Sequence, residues 1–254
     1  MKEPKIIAFA NHKGGVGKTT TTVNVACILA DQGYEVLAID MDAQANLTAS
    51  LLSEEPEESI YFALTQRTGE LPVLHVKDHL DLVPSSLQLA VAELEMTSAI
   101  NRERILARLI EPLKEKYDII LIDCPPTLTL LTLNALAAAN EIVIPLIAEV
   151  LPFKGLTMIC DFIETVRTQV NPAAHLTGVL ITRWEYSKLA NRIEEGLRLR
   201  LGGQVFQTRI RKNIRAAEAP LQGGSIIEYA PKSNAAQDYR AFVDELVPRI
   251  QLKD

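Results

Sequence analysis

The sequence predicts an α/β fold in which a mostly parallel, twisted β-sheet carries helices on both faces. Short apolar runs typical of buried strands alternate with longer helical segments along the 254 residues, and this alternation is characteristic of parallel sheets. Several apolar runs end in a polar residue, at the edge where open α/β sheets bind ligands. Neither a linker nor an internal repeat is apparent, so we expect one domain over residues 1–254.

Seven strands are predicted from the apolar runs. They are Lys5–Ala10, Glu35–Asp40, Leu80–Val83, Asp118–Asp123, Glu141–Ile147, Leu176–Thr182 and Gln204–Arg209. Helices are predicted to begin at Thr19, near Arg102, and at Thr127, Phe153, Lys188 and Ser233. Because Asp40 and Asp123 both end predicted strands, we expect their side chains at the same edge of the sheet.

A phosphate-binding loop follows the first predicted strand. The segment Lys13-Gly14-Gly15-Val16-Gly17-Lys18-Thr19-Thr20 combines glycines, whose backbone N–H groups can surround phosphates, with Lys18 for the β/γ oxygens and Thr19 for Mg²⁺. The helix beginning at Thr19 would point its positive N-terminal end at the same phosphates. His12 stands where the ordinary pattern has its first glycine, and Lys13 adds a second lysine. This deviant Walker A loop predicts a P-loop NTPase.

Three aspartates are candidates for metal binding and water activation. Asp123 ends an Ile-Ile-Leu-Ile run, so it is predicted to reach the Mg²⁺ shell as a Walker B carboxylate. Asp40 and Asp42 lie two residues apart, which on an extended segment places both side chains on one side. If Asp40 lies near Mg²⁺, Asp42 is placed to orient the attacking water. The alternatives are a strand-end cap at Asp123 and a solvated carboxylate at Asp42.

Charge is unevenly distributed along the chain. Between Arg183 and Arg215, nine basic residues stand against three acidic ones, a local charge of +6 in a chain of net charge −6. A basic stripe of this kind can contact nucleic-acid phosphates while the acidic remainder stays soluble. The sequence contains no helix-turn-helix or zinc-finger pattern, so the contacts would not read bases. A solvated helix face with internal ion pairs is the alternative.

Cysteine usage and hydropathy indicate the compartment. Cys27, Cys124 and Cys160 lack metal-ligand spacing, which favours a reduced protein whose cysteines fill apolar space. The N-terminal residues show no signal-peptide h-region, and no uncharged apolar run is long enough to span a bilayer. We therefore expect a cytoplasmic protein.

Four segments in a fixed order give the chain a family resemblance. The phosphate loop is followed by Asp40-Met41-Asp42-Ala43-Gln44-Ala45-Asn46, then by Ile119–Pro126, and near the C-terminus by Asn213–Pro220 with Pro231-Lys232-Ser233 beyond it. Through these segments the chain resembles the ParA/MinD superfamily of deviant Walker ATPases over nearly its whole length. Within that superfamily it is most similar to the short ParA (Soj-like) partition ATPases.

The resemblance implies ATP and Mg²⁺ as cofactors and assigns roles to the candidates. Lys13, Lys18 and Asp42 become the catalytic residues, with Asp42 positioning water, and Thr19, Asp40 and Asp123 become the metal residues. Lys13 is expected to reach the nucleotide of the other subunit across a two-fold interface, as an arginine finger in trans does. The expected assembly is a homodimer enclosing two ATP molecules. Ala43 replaces the family's proline and leaves the backbone next to Asp42 less rigid.

The resemblance also implies non-specific binding of double-stranded DNA by the ATP-bound dimer. The expected contacts are Arg183, Lys188, Arg192, Arg211, Lys212 and Arg215. The basic segment from Arg183 to Arg215 departs from the family pattern at two places. The turn after Thr182 lacks the arginine of the family's D-x-R-T pattern, and Arg211 stands where the family usually has a proline. A ParB-like activator is expected to stimulate slow hydrolysis on the nucleoid, so that a chromosome or plasmid is segregated. Because the loop begins at Lys13, no preceding operator-binding domain is expected.

Other functions of the same scaffold stay as alternatives. A MinD-like ATPase at a membrane surface needs a basic amphipathic C-terminal helix, whereas the segment from Tyr239 carries Asp244, Glu245 and Pro248. We expect that segment to pack on its own domain, without stable membrane association. A nitrogenase-type iron protein, a cobyrinate amidase and a tyrosine kinase would need further cysteines, an appended amidotransferase domain and a C-terminal tyrosine cluster, respectively. An orphan ParA-like ATPase that positions a protein cargo is the remaining alternative.

Substitution of the two loop lysines and of Asp42 should separate ATP binding from turnover. We expect Lys18→Ala to abolish ATP binding, because it removes the cation for the β/γ oxygens. Lys13→Ala and Asp42→Ala should retain ATP and lose turnover, since their interactions belong to the transition state. Equilibrium nucleotide titration and phosphate release at saturating ATP test this. Wild-type turnover in Asp42→Ala would remove that residue from the catalytic role.

Overall fold

In the computed structural model, which describes residues 3–65, 67–149 and 152–252, eight strands form one sheet. The strands are β1 (Lys5–Phe9), β2 (Val36–Asp40), β3 (Leu74–Lys77), β4 (Leu80–Val83), β5 (Ile119–Asp123), β6 (Glu141–Ile147), β7 (His175–Trp184) and β8 (Val205–Arg211). Their spatial order is β3-β4-β2-β5-β1-β6-β7-β8. All neighbouring pairs are parallel except β3 with β4. The predicted mostly parallel sheet is confirmed.

Eleven helices accompany the sheet in the described part of the chain. They are α1 (Lys18–Asp31), α2 (Asn46–Leu51), α3 (Ile60–Leu64), α4 (Leu89–Met96), α5 (Ile105–Ile110), α6 (Leu130–Ala138), α7 (Pro152–Gln169), α8 (Lys188–Leu201), α9 (Ile214–Glu218), α10 (Ile226–Tyr229) and α11 (Asn234–Arg249). Short 3-10 segments occur at Arg102–Arg104, Glu111–Leu113, Gly202–Gln204 and Ala219–Gln222.

Both faces of the sheet are covered because successive strand residues point to opposite sides. In β1, Ile7 and Phe9 pack in one apolar layer with α1, α2, α10 and α11. Ile6 and Ala8 pack in the other layer with α3 to α8. Full burial of a leucine or isoleucine side chain contributes about 1.5–3 kcal/mol, so the two layers are the main favourable term in folding. The predicted helices on both faces are confirmed.

The sequence pattern missed the shortest elements. The edge strand β3 contains the exposed His75 and only partly buried neighbours, so it lacks the apolar run that marks the central strands. Helices α2, α3 and α4 have six, five and eight residues, too few for a clear helical period. The helix predicted at Thr127 begins at Leu130, after the extended residue Thr129.

The last helix packs on the sheet, as predicted. Tyr239, Phe242 and Leu246 of α11 are buried in the layer that α1 shares. The rings of Phe242 and Phe206 meet edge to face with centroids 4.9 Å apart, a favoured aromatic geometry. Within residues 3–65, 67–149 and 152–252, none of the helices combines the length and apolar composition that crossing a lipid bilayer requires.

Strand register determines where the polar strand ends meet. Asp123 at the end of β5 is the register partner of Asp40 at the end of β2 and of Phe9 at the end of β1. The chain leaves β1 directly into the glycine-rich loop and then enters α1. Two aspartates and the phosphate loop are therefore adjacent at the carboxyl edge of the central strands.

Gly178 of β7 provides a test of packing between β7 and β8. A Cβ atom at this position would lie 2.6 Å from the Phe206 ring and 2.8 Å from the Gln204 carbonyl oxygen. We expect Gly178→Ala to lower the free energy of unfolding by about 1–3 kcal/mol, because the enclosed ring and the backbone cannot yield freely. Urea denaturation measures this change.

Gly203 provides the matched control. A Cβ atom there would meet nothing within 4 Å. Gly203→Ala should therefore change the free energy of unfolding by less than about 0.5 kcal/mol. Equal effects of the two substitutions would contradict the packing argument.

Candidate nucleotide-binding site

The glycine-rich loop turns from β1 into α1 through two left-handed glycines. Gly15 has φ 70° and Gly17 has φ 87°, a region that side chains other than glycine rarely adopt. Gly17 precedes α1 and provides no side-chain cap. The first N–H groups of α1 are thus left for an external acceptor, which is the arrangement that binds phosphate.

Neighbouring strands hold this loop in position. The Asn11 amide nitrogen donates to the Pro145 carbonyl (2.7 Å), and its oxygen accepts from the Lys13 backbone N–H (3.0 Å). The Thr182 hydroxyl, near the end of β7, donates to the Val16 carbonyl (2.7 Å). Sequence reasoning missed Thr182, although a polar residue near a strand end was a usable signal. The loop is consequently tied to the ends of both β6 and β7.

The two loop lysines occupy different environments. Lys18 is 6% exposed, and its Nζ donates to the Lys13 carbonyl at 3.2 Å. Burial lowers the pKa of the Lys18 ammonium, while Asp123 acts in the opposite direction. The Lys13 side chain is exposed and has no hydrogen bond or ion pair within the described residues. Lys18 belongs to its own site, whereas Lys13 is available to another molecule.

Asp123 is a completely buried carboxyl group whose oxygens lack hydrogen-bond partners among the described residues. Burial and the nearby Asp40 carboxylate raise the pKa of Asp123 well above its usual range, against the opposing influence of Thr19 and Lys18. A buried carboxylate without donors is costly unless a cation compensates it. The residue therefore fits a bound divalent cation.

The donor set suits Mg²⁺ bound together with a nucleotide. Thr19 and Lys18 line the same cleft as Asp42. Among the described residues, no group of three or more histidine, cysteine or acidic side chains could enclose a metal. Mg²⁺ commonly uses one or two carboxylates together with phosphate oxygens and waters. The site thus offers a part of a magnesium shell that phosphates would complete.

Asp40 differs from Asp123 because its oxygens already accept protein hydrogen bonds. Oδ2 accepts from the Thr48 backbone N–H (2.9 Å) and hydroxyl (2.7 Å), and Oδ1 accepts from the Asp42 N–H (3.1 Å). Burial raises the pKa of Asp40 to about 6, although the hydrogen bonds from Thr48 oppose the shift. This geometry favours an outer position relative to a cation, with direct ligation left to other groups.

Asp42 lies half-buried just beyond the end of β2, in the wall of the cleft. Its Oδ1 accepts from the Gln44 backbone N–H at 3.0 Å, and no described residue donates to Oδ2. The Asp42 carbonyl accepts from the Ser85 hydroxyl at 2.7 Å. One carboxylate oxygen therefore remains for a water molecule. Sequence reasoning missed Ser85, since nothing local connects it with Asp42.

The cleft extends from the phosphate loop to the segment after β8. It has a volume of about 930 Å³ and includes Arg211, Lys212 and Asn213. On either side of these three residues it is lined by apolar residues, which the sequence analysis did not assign to a binding site: Ile210, Ile214, Ala216, Ala217, Pro220 and Leu221. An apolar space next to a phosphate loop can hold a nucleobase.

The structure separates the predicted DNA contacts into free and paired charges. Arg211 is held by Asp238 at 2.6 Å, and Lys212 lies 3.0 Å from Glu185. Elsewhere in the segment, Glu194 accepts from both Arg198 and Arg209. The side chains of Lys188, Arg192 and Arg215 are exposed and have no ion pair with a described residue. Lys188 and Arg192 are four residues apart on α8, so they share a helix face.

Arg183 lies at the nucleotide cleft instead of on α8. Its backbone is left-handed, with φ 49°, and its Nη1 donates to the Gly15 carbonyl at 3.2 Å. A non-glycine residue in this conformation is uncommon and marks a constrained position. Of the six predicted DNA contacts, Arg183 is the one that directly contacts the phosphate loop.

Comparison with known proteins agrees with this geometry. A family model described as an AAA domain matches residues 4–176. The sporulation initiation inhibitor protein Soj of Bacillus subtilis is 38% identical over 247 residues, which cover 95% of this chain and 98% of that protein. The chromosome-partitioning ATPase Soj of Thermus thermophilus is 40% identical over 246 residues, which cover 96% of each.

One solved structure that matches nearly the whole chain is named for a different activity. Cobyrinic acid a,c-diamide synthase of Mycobacterium smegmatis, with bound ADP and magnesium, has a TM-score of 0.84 and 30% identity, and the match covers 98% of this chain and 96% of that one. Because the match covers nearly all of both chains, the expected amidotransferase domain does not separate this chain from that synthase. The higher identity to the two Soj proteins is the discriminating observation.

Replacement of Asp123 should abolish cation binding and stabilise the nucleotide-free protein. We expect Asp123→Asn to raise the free energy of unfolding of the nucleotide-free protein by about 0.5–2 kcal/mol, because a neutral amide beside Asp40 costs less to bury than a carboxylate. The same variant should lose the Mg²⁺ dependence of ATP binding. Urea denaturation and nucleotide titration with and without Mg²⁺ measure the two effects.

Asp238 provides the matched control, since its carboxylate is also mostly buried but is paired with Arg211. Asp238→Asn should lower the free energy of unfolding by roughly 1–3 kcal/mol because it weakens satisfied hydrogen bonds. Destabilisation of the same sign and size in both variants would show that Asp123 carries no special electrostatic cost.

Proposed function

Because the chain belongs to the Soj/ParA family of partition ATPases, we propose that it forms an ATP-bound homodimer, binds DNA without sequence preference and hydrolyses ATP slowly until a partner stimulates it. ATPase activity follows from family membership, and ATP with Mg²⁺ is the cofactor pair. We further propose that residues 1–254 act as one ATPase domain, which the single eight-stranded sheet supports.

The nucleotide phosphates are assigned to the glycine-rich loop and the open N-terminus of α1. Lys18 neutralises the β/γ oxygens from a buried position, and the constrained glycines bring backbone N–H groups close to the phosphates. Thr19 and Asp123 would hold Mg²⁺, with Asp40 in its outer surroundings. When bound, Mg²⁺ neutralises charge on the β- and γ-phosphates. The adenine is assigned to the apolar end of the cleft, near Ile214 and Pro220.

Asp42 is assigned to the attacking water. Its Oδ1 is engaged by the Gln44 N–H, so the other oxygen can accept a hydrogen bond from water and orient the water lone pair toward the γ-phosphate. Positioning of this kind, together with electrostatic stabilisation, accounts for most catalysis of phosphoryl transfer. The half-buried position of Asp42 in the cleft supports this role.

The observation that carries the dimer proposal is the position of Lys13. Its exposed side chain has no partner within the described residues and is absent from the lining of its own cleft. Within one subunit, only its backbone contributes, through the bonds to Asn11 and Lys18. A second subunit would use Lys13 as a cation supplied in trans, and an isolated subunit would lack that cation. Slow turnover by the unassembled protein follows from this requirement.

DNA binding is assigned mainly to Lys188, Arg192 and Arg215. These side chains are exposed without ion pairs among the described residues, whereas Arg211 and Lys212 are neutralised internally. Unpaired basic residues favour phosphate contacts that do not read sequence. On this proposal the protein is cytoplasmic and associates with the nucleoid, and a ParB-like protein stimulates hydrolysis to release the dimer from DNA during partition.

ATP-dependent DNA binding tests the proposal as a whole. Binding to random-sequence duplex DNA is measured with ATP, with ADP and without nucleotide, and Asp42→Ala is used to preserve the ATP state. We expect salt-sensitive binding in the ATP state alone. An intact ATP dimer without DNA binding in any state would leave the ATPase assignment and overturn DNA coating.

Charge reversal at Arg215 tests the assigned DNA surface. Arg215→Glu should weaken binding equally for different sequences and reduce the magnitude of the salt slope by about 1. Arg167→Glu makes the same charge change on α7, at a residue paired with Glu164 outside the basic segment, and should leave the slope unchanged. Equal slopes for the two variants would contradict the assignment of Arg215.

A further inference from the structure

A closed ring of hydrogen bonds holds the backbone of Asp42 from both sides. The Asp42 N–H donates to Asp40 Oδ1 (3.1 Å), and the Asp42 carbonyl accepts from the Ser85 hydroxyl (2.7 Å). The ring is completed by the Ser85 N–H, which donates to Thr48 Oγ1 (2.9 Å), and by the Thr48 hydroxyl, which donates to Asp40 Oδ2 (2.7 Å). Both peptide groups next to the Asp42 Cα atom are therefore fixed.

Burial makes this ring stiff. Asp40 is 0% exposed, Ser85 2% and Thr48 4%, so water does not readily replace their hydrogen bonds. Asp42 itself is only half-buried and faces the cleft. The ring connects a rigid interior to one functional side chain, and Ser85 is the member that reaches Asp42 from outside its own strand and loop.

The local sequence explains why such a support is needed. Ala43 follows Asp42, and alanine leaves φ free where a proline would restrict it to about −65°. Restraints on the backbone that carries Asp42 therefore come from hydrogen bonds. The Asp42 carbonyl accepts one hydrogen bond within its own turn, from the Ala45 N–H (2.9 Å). The Ser85 hydroxyl adds a second hydrogen bond to the same carbonyl from a residue 43 positions away in the chain, and this bond ties the turn to the buried residue after β4.

We propose that Ser85 is a positioning residue for ATP hydrolysis, which holds the Asp42 backbone so that its carboxylate addresses the attacking water. This inference rests on the proposed role of Asp42. Ser85 does not line the nucleotide cleft, and its effect is on turnover, with little effect on nucleotide affinity. A displacement of about 1 Å at a reacting group can cost on the order of 100-fold in rate.

The neighbouring serine supplies a matched control. The Ser86 hydroxyl pairs with the Ser59 hydroxyl at 2.8 Å, a bond of nearly the same length as that from Ser85 to Asp42. Ser85→Ala and Ser86→Ala therefore each remove one serine hydrogen bond from the loop between β4 and α4. Only the first substitution removes a hydrogen bond to Asp42, whose carbonyl is then held by the Ala45 N–H alone.

The experiment compares the steady-state ATPase kinetics, ATP affinity and thermal unfolding of the two variants with those of the wild-type protein. We expect Ser85→Ala to lower kcat about 10-fold and to keep KM and ATP affinity within about twofold. Ser86→Ala should keep kcat within about twofold. Adding Ala43→Pro to Ser85→Ala should raise kcat again, because proline restores a backbone restraint.

Asp42→Ala distinguishes failure of the inference from failure of the proposed function. In the Asp42→Ala background, Ser85→Ala should cause no further loss of kcat, because the effects of residues that act as a unit are not additive. If Asp42→Ala is inactive but Ser85→Ala has the kcat of Ser86→Ala, the positioning role is overturned and the role of Asp42 stands. Normal turnover in Asp42→Ala overturns both. A fall in kcat that follows the loss of thermal stability equally in both serine variants overturns the positioning role alone.

Discussion

Two carboxylates buried on adjacent parallel strands impose the main physical constraint on this structure. Asp40 and Asp123 are register partners at the ends of β2 and β5, and both are completely shielded from solvent. Placing like charges together in a low-dielectric interior is unfavourable unless donors or cations compensate them. The adjacent glycine-rich loop, the buried Lys18 and the internal hydrogen bonds all act on this one concentration of negative charge.

The two carboxylates are compensated in different ways, and the difference organises the site. Asp40 receives its donors from Thr48 and Asp42, so it stabilises the loop that follows β2. Asp123 has no hydrogen-bond donor in the described chain, so on the proposed function a bound cation compensates it. Asp40 then has a structural role and Asp123 a ligand-binding role on neighbouring strands. Ser85 extends the structural network from Asp40 to the backbone of Asp42.

The basic segment from Arg183 to Arg215 contains arginines that form internal ion pairs and basic residues that stay exposed without such pairs among the described residues. Glu194 is 4% exposed; it pairs with Arg198 within α8 and joins α8 to β8 through Arg209. Asp238 joins α11 to β8 through Arg211. These arginines are part of the packing between elements. Lys188, Arg192 and Arg215 are exposed outside these pairs, and they define a smaller cationic surface than the charge count suggests. The same residue type therefore serves two purposes within one segment.

By itself, the sequence determined the fold class, the phosphate loop and the strand ends at Asp40 and Asp123, because apolar runs, glycine spacing and strand-end polarity are local patterns. The short strand β3 and helices α2 to α4 were not predictable, since their burial is partial and their periods are brief. Only the tertiary structure decided which distant side chains meet. Ser85 reaches Asp42 across 43 residues, and Asp238 neutralises Arg211 across 27. It also buried Lys18 and exposed Lys13, five residues earlier in the same loop. Local patterns report how a segment folds, whereas partners and exposure depend on how the strands and helices pack together.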